Sequence, residues 1–129
     1  MAEPPQMYMI GLITRHMSRS FDFYRRLGVD FEHQAGPHRE AVVGDLTLFL
    51  DERPGAWHPG IRDRPYPWLL EFFFESVEDL RAKVDELVGA EYHLIDAPYP
   101  TAFGMWFAFV EDPDGNTVLL SAQRDQADL

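Results

Sequence analysis

The sequence contains no cysteine among its 129 residues. Disulfides and thiolate metal sites are therefore excluded, and any bound metal would need His, Asp or Glu side chains. No stretch approaches the roughly 20 apolar residues of a membrane-spanning helix. The N-terminal segment, residues 1–6, also lacks the basic and apolar regions of an export signal. These absences predict a cytoplasmic protein that does not enter a membrane.

Basic residues are scarce, since 11 Lys and Arg stand against 22 Asp and Glu and give a formal net charge of -11. A protein of this charge repels the phosphates of nucleic acids and the headgroups of anionic lipids. We therefore expect neither nucleic acid nor a membrane as a partner. A neutral or cationic small molecule is the electrostatically easier ligand.

Apolar residues are abundant: 46% of the chain is hydrophobic and 14% is aromatic. A chain of this length buries one proper core, so we expect a single domain over residues 1–129. Strand-forming runs and helical spacing alternate along it, separated by Gly, Pro and Asp turn residues. The predicted strands span residues 7–14, 29–33, 39–43, 46–50, 68–74, 92–95, 105–111 and 116–122.

Two helices complete the pattern. The first follows the opening strand and ends near Leu27, and the second begins at a capping box formed by Ser76 and Asp79 and ends near Gly89. Strand, helix and three strands therefore occur twice, in module one (7–51) and module two (67–122), with a Pro- and Gly-rich connector over 52–66. We predict an α+β fold of two βαβββ modules, forming a curved mixed β-sheet with helices on its outer face.

Two segments carry a family resemblance. Residues 16–28, HMSRSFDFYRRLG, and residues 109–116, FVEDPDGN, resemble the first helix and the closing hairpin of the glyoxalase/bleomycin-resistance/extradiol-dioxygenase group, the vicinal oxygen chelate superfamily. The resemblance implies the two-module fold and a homodimer whose chains build the pocket together. It does not select an activity, because this fold hosts lyases, dioxygenases, epimerases, thiol transferases and antibiotic-binding proteins.

The resemblance also implies four metal-ligand positions, one in each of four strands. They fall on Met9, on the run Leu46–Leu50, on Leu69 and on Leu119. None of these positions offers the imidazole or carboxylate donor that a divalent cation needs. We therefore predict no metal and no cofactor. The remaining alternative is a metal-dependent lyase or dioxygenase with ligands shifted by two residues, which would bring in Glu71.

Glu71 is the acidic residue of an otherwise apolar strand. Strand alternation places it on one face with Leu69 and Phe73. Among Met9, Leu69 and Leu119 we expect its carboxylate to be desolvated, and to act as a general acid or base or to bind an amine or hydroxyl. Under this hypothesis the protein is a metal-independent isomerase, cyclase or lyase. Alternatively, Glu71 pairs with an Arg at a subunit contact or stays hydrated.

Aromatic residues favour a binding protein instead. The expected pairing of the last two strands places Trp106 on the face of Leu119 and leaves Phe107 and Phe109 for the helix layer. Trp106, Phe73 and either Phe103 or Trp57 would then suit a flat ligand. The leading hypothesis is a metal-independent protein that binds an aromatic or hydrophobic, antibiotic-like molecule. The predicted binding residues are Met9, Trp57, Leu69, Glu71, Phe73, Phe103, Trp106 and Leu119.

Five histidines remain, and no two have the helical spacing of a metal pair. His33 and His38 flank the Gly36-Pro37 turn and could approach each other. Without a positioned acid they are weak evidence for a site, and we expect them to be solvated.

Overall fold

The computed structural model describes residue 4 and residues 7–32, 34–52 and 69–124. The chain divides into two compact units, Met1–Gly60 and Ile61–Leu129. The described elements of the first unit are β1 (Ile10–Thr14), α1 (Met17–Arg26), β2 (His38–Val43) and β3 (Leu46–Glu52). Those of the second unit are β4 (Leu69–Phe74), α2 (Val77–Gly89), β5 (His93–Pro100), β6 (Met105–Glu111) and β7 (Thr117–Gln123).

The first unit contains a three-stranded mixed sheet of order β1-β3-β2. β1 runs parallel to β3, whereas β2 is antiparallel to it. The buried side chains of β1 and β3, among them Leu12, Leu48 and Leu50, alternate with more accessible ones. α1 contacts β3 and buries Phe23 and Tyr24. One face of this sheet is therefore the core face, and the helix packs against it.

The predicted strand over residues 29–33 is wrong for residues 29–32, which form no strand. The carboxylate of Asp30 accepts a hydrogen bond of 2.7 Å from the backbone N–H of Glu32, and Glu32 has a positive φ of 54°. Such an Asx turn competes with strand pairing. Val29 and Phe31 are nevertheless buried, which explains why their apolar character suggested a strand. His33 lies outside the described residues.

The second unit contains a four-stranded mixed sheet of order β4-β7-β6-β5. β7 pairs in parallel with β4 and antiparallel with β6. α2 begins as predicted, because the Ser76 hydroxyl accepts a hydrogen bond of 3.1 Å from the N–H of Asp79. The helix buries Leu80, Val84 and Leu87. Fully buried residues on one side of the sheet, namely Ala108, Val110, Val118, Leu120 and Ala122, form the face against which it packs.

The α+β class is confirmed, as is the predicted strand–helix–strand–strand–strand order in the second unit. The strands form one mixed sheet in each unit. The single domain and the module boundaries remain predictions, and residues 53–66 of the connector lie outside the described residues. No helix in the described part of the chain combines the length and apolar character needed to cross a membrane.

Candidate functional site

The second sheet has one face that α2 does not cover. Residues paired across neighbouring strands share a face, and the register pairs Glu71 with Leu119 and Phe73 with Ser121. β6 then adds Phe109 opposite Leu119 and Phe107 opposite Ser121. We call this surface, which comprises Leu69, Glu71, Phe73, Phe107, Phe109, Leu119 and Ser121, the open face of the second sheet.

Trp106 does not belong to the open face. It pairs with Ala122 on β7, and the guanidinium carbon of Arg81 on α2 lies 4.8 Å from the centre of its ring. The predicted face of Trp106 is therefore wrong, and so is the assignment of Phe107 and Phe109 to the helix layer.

The turn between β6 and β7 explains the error. Pairing resumes at Glu111 opposite Thr117, after a turn in which the Asp112 carboxylate accepts hydrogen bonds from the N–H groups of Asp114 and Asn116. A change of one residue in register moves every side chain to the opposite face. Composition identified the turn but not the number of residues it leaves unpaired.

Phe107 is the centre of an aromatic cluster. Its ring centre lies 5.4 Å from that of Phe103, 6.0 Å from that of Phe109 and 6.3 Å from that of Tyr99, each pair in edge-to-face orientation. Phe103 is 69% exposed and Tyr99 is 40% exposed. Because Phe103 and Tyr99 are accessible, the cluster forms an exposed apolar surface. Covering it with a ligand would be favourable, since large aromatic side chains gain stability by burial. Sequence reasoning missed Tyr99 and placed Phe107 on the wrong face.

Glu71 lies on the open face between Leu69 and Phe73, which are 54% and 62% exposed. Glu71 is itself exposed, so the predicted desolvation of its carboxylate is wrong. The hydroxyl of Ser121, which is fully buried, donates a hydrogen bond of 2.8 Å to Oε2 of Glu71. The carboxylate is thus accessible yet held in place, and Ser121 is a partner of Glu71 that sequence reasoning missed.

The open face of the first sheet has different chemistry. Asp51 is paired with His38 and Phe49 with Glu40, and Gly11 on β1 is opposite Phe49. We call the surface formed by Gly11, Phe49, Asp51, His38 and Glu40 the open face of the first sheet. A Cβ at Gly11 would overlap the Phe49 ring, so glycine here permits close packing of that ring across β1.

His38 is held by two acids. One ring nitrogen, Nδ1, bonds to the carboxylate of Asp51, and the other, Nε2, lies 2.7 Å from Oε2 of Glu40. The hydrogen bond that Glu40 accepts is the largest cause that raises the pKa of His38, followed by the hydrogen bond that Asp51 accepts. His38 is exposed, with 46% of its side chain accessible, as expected. Sequence reasoning missed its acidic partners, because strand pairing brings Asp51 to it across thirteen positions of sequence.

The structure places the remaining predicted site residues as follows. Leu69, Glu71, Phe73 and Leu119 share the open face of the second sheet, and Phe103 adjoins it through Phe107. Met9 belongs to the first unit, where it lines a cleft with Tyr8, Glu40, Val42 and Thr47. Trp57 lies outside the described residues.

The family's metal does not fit the described side chains. Met9, Leu69 and Leu119 offer a thioether and two alkyl groups, and none of these is a suitable donor for a divalent cation. Over residues 7–32, 34–52 and 69–124, no group of three or more His, Asp or Glu side chains is arranged to hold a metal ion. No step of a metal-dependent reaction can therefore be assigned to these residues.

Comparison with known proteins defines the class. The model of the Glyoxalase/Bleomycin resistance protein/Dioxygenase superfamily matches residues 6–120. The chain belongs to this family, as the resemblance of the helix and hairpin motifs predicted. No curated protein matches the sequence.

Solved structures show the same fold. A glyoxalase-related enzyme from Fulvimarina pelagi is similar, with 17% identity, a TM-score of 0.81, and coverage of 92% of this chain and 88% of that one. A glyoxalase/bleomycin resistance protein/dioxygenase family enzyme from Burkholderia phytofirmans PsJN has 18% identity, a TM-score of 0.79 and coverage of 92% and 99%. The genomically encoded fosfomycin resistance protein FosX from Listeria monocytogenes has 14% identity, a TM-score of 0.71 and coverage of 98% and 100%.

Proposed function

We propose that this protein is a metal-independent binding protein for an aromatic or hydrophobic small molecule, which lies on the open face of the second sheet. The aromatic cluster around Phe107 carries the proposal, since Phe103 and Tyr99 are accessible there and Phe73 is 62% exposed on β4. Rings of this kind bury large areas against a flat ligand and prefer edge-to-face or offset contacts.

The residues at the family's metal positions support binding without a metal. Leu69 and Leu119 lie on the same face as the cluster. Leu69 is exposed and Leu119 is buried, so both positions that would hold a cation in metal-dependent members carry alkyl side chains here. The name of the fosfomycin resistance protein from Listeria monocytogenes suggests an antibiotic-like ligand as one candidate. We further propose that the protein acts in the cytoplasm as a homodimer, which light scattering after gel filtration tests.

Titration with 2-naphthol, followed by the backbone amide resonances of labelled protein, tests the proposed function. We expect saturable shifts centred on β6, β7 and β4, and smaller ones on α2. A panel of aromatic antibiotics extends the test to candidate natural ligands. Absence of any saturable shift, or shifts confined to α2, would contradict the proposal.

The hydrogen bond from Ser121 to Glu71 favours a second candidate function. A carboxylate held beside an apolar surface is a candidate general acid or base in a metal-independent isomerase, cyclase or lyase. Glu71→Gln would then abolish turnover of a substrate while its affinity stays nearly intact. Unchanged turnover in that variant would remove Glu71 from the mechanism.

The third alternative, a lyase or dioxygenase with shifted metal ligands, is tested separately. Elemental analysis of protein purified without a chelator or affinity tag measures any bound metal directly. Stoichiometric Ni, Zn, Fe or Mn would overturn the binding proposal.

A further inference from the structure

We infer that Glu71, positioned by Ser121, makes the open face of the second sheet selective for aromatic ligands that carry a hydrogen-bond donor. The inference deepens the proposed function and rests on it. The ligand presents an N–H or O–H group, and Glu71 and Ser121 recognise it.

The register places the carboxylate among the aromatic side chains. Ser121 is paired with Phe73 on β4 and with Phe107 on β6, so the three residues form one row across the sheet. Neighbouring strands lie about 4.8 Å apart. Because the Ser121 hydroxyl holds Oε2 of Glu71 at 2.8 Å, the carboxylate is tied to the strand that lies between the two phenylalanines. A ring resting on either phenylalanine brings its substituent within reach of the carboxylate.

Ser121 determines which hydrogen bond is left to the ligand. A serine hydroxyl has one proton, and Ser121 donates it to Glu71. An ionised carboxylate accepts several hydrogen bonds but donates none. Within the described part of the chain, Ser121 is the hydrogen-bond partner that the structure gives Glu71. The group that remains available to a ligand is therefore an acceptor, and it requires an N–H or O–H.

The lysine and arginine side chains described in the second unit are engaged elsewhere. Arg81 lies over the Trp106 ring, Lys83 pairs with Glu86 at 2.9 Å, and a guanidinium nitrogen of Arg124 donates to the carbonyl oxygen of Thr101 at 3.0 Å. None of these three contacts uses Glu71. The acceptor capacity of its carboxylate is thus available on the open face.

Two probes that differ only in the donor test this selectivity. 2-Naphthol carries one O–H, and 2-methoxynaphthalene has the same ring system without it. A hydrogen bond to a charged group contributes enough to change affinity by about tenfold or more. We expect 2-naphthol to bind about tenfold more tightly than its methyl ether, as measured by amide shifts in β4 and β7.

Three variants locate the source of the preference. Glu71→Leu should reduce the preference to below about twofold by removing the acceptor. Ser121→Ala should reduce it to about threefold while the affinity for the ether stays unchanged, because the carboxylate is then no longer held. Glu111→Leu is the matched control. It removes a carboxylate from β6 that pairs with Thr117, which itself pairs with Leu69, so Glu111 lies on the same side of the sheet as Glu71. The preference should stay intact, because the hydrogen bond from Ser121 goes to Glu71.

The outcomes separate this inference from the proposed function. Equal binding of both probes overturns the inference and leaves the proposed function standing, whereas binding of neither probe overturns both. A preference that survives Glu71→Leu, or one that Glu111→Leu abolishes, also contradicts the role of Glu71. If Ser121→Ala weakens both probes equally, Ser121 has only a structural role and its positioning role is refuted.

Discussion

The open faces of the two sheets differ in how their polar groups are used. On the first sheet, Glu40 and Asp51 both bond to His38, so the polar groups satisfy one another. On the second sheet, the Glu71 carboxylate has Ser121 as its partner beside exposed Phe73 and the Phe107 cluster. A satisfied network stabilises a sheet, whereas a held acceptor beside exposed rings is available to a ligand. This difference is why the second sheet, and not the first, is proposed as the binding surface.

The largest expected effect concerns the packing of the first face. In Gly11→Ala, the added Cβ overlaps the Phe49 ring, so the variant should lose about 1–3 kcal/mol of unfolding free energy. Urea denaturation measures this loss, and adding Phe49→Leu should recover part of it. Gly89→Ala is the control, because a Cβ there meets no atom within 4 Å and alanine favours the helix. Equal stability of Gly11→Ala and wild type would show that the packing of the Phe49 ring does not require glycine at position 11.

The second-largest expected effect is on the affinity for the ligand. Phe107→Ala removes the ring at the centre of the cluster and should lower the affinity for 2-naphthol by about tenfold, since a buried aromatic contact contributes on the order of 1 kcal/mol or more. Phe49→Ala makes the same substitution on the other sheet and should leave the affinity within about twofold. Amide-detected titration measures both variants. The comparison fails if Phe49→Ala weakens binding as much as Phe107→Ala does.

A smaller effect depends on pH and belongs to the first sheet alone. Because Glu40 and Asp51 raise the pKa of His38 above its usual 6.5, protonated His38 stabilises the folded state. This contribution is fully present below about pH 6.5 and is lost as the pH rises through the higher folded-state pKa. The side chain of His38 is 46% exposed, so solvent screening keeps the contribution below about 1 kcal/mol.

Denaturation of wild type and His38→Gln across this pH range measures the effect. The stability advantage of the wild type should shrink as the pH increases, and Glu40→Gln should reproduce part of the loss. An advantage that does not change with pH would show that His38 is not stabilised in its charged form.

The smallest effect tests the corrected position of Trp106. Trp106→Phe changes a ring that faces α2 and contacts Arg81, so we expect the affinity for 2-naphthol to stay within about twofold. The weakened cation–π contact should lower the unfolding free energy by about 0.5–1 kcal/mol. A tenfold loss of affinity would instead show that Trp106 contributes to ligand binding.

Sequence analysis predicted much of the fold because its signals are local. The N-terminal cap of α2 depends on near neighbours, and the structure confirms that the Ser76 hydroxyl accepts a hydrogen bond from the N–H of Asp79. The family motif near residues 16–28 was equally readable. The false strand at residues 29–32 arose because Asp30 bonds locally to the backbone of Glu32, an alternative that apolar periodicity does not report.

The candidate site was only partly predictable, because it depends on pairing between distant strands. Leu69, Glu71 and Phe73 were assigned to one face by alternation within a single strand, which needs no tertiary information. Phe107 and Trp106 were each assigned to the wrong face of the sheet, because their faces depend on the register across the β6–β7 turn. The acids beside His38 and the hydroxyl beside Glu71 likewise become neighbours only when strands pair.

By itself, the sequence determined the α+β class, the family, both helices and the apolar character of the family's metal positions, because residue identity and short-range spacing specify all of these. The tertiary structure alone decided that Ser121 holds Glu71 and that Asp51 meets His38. These contacts join residues 50 and 13 positions apart in the chain, and only strand register brings such residues within hydrogen-bonding distance.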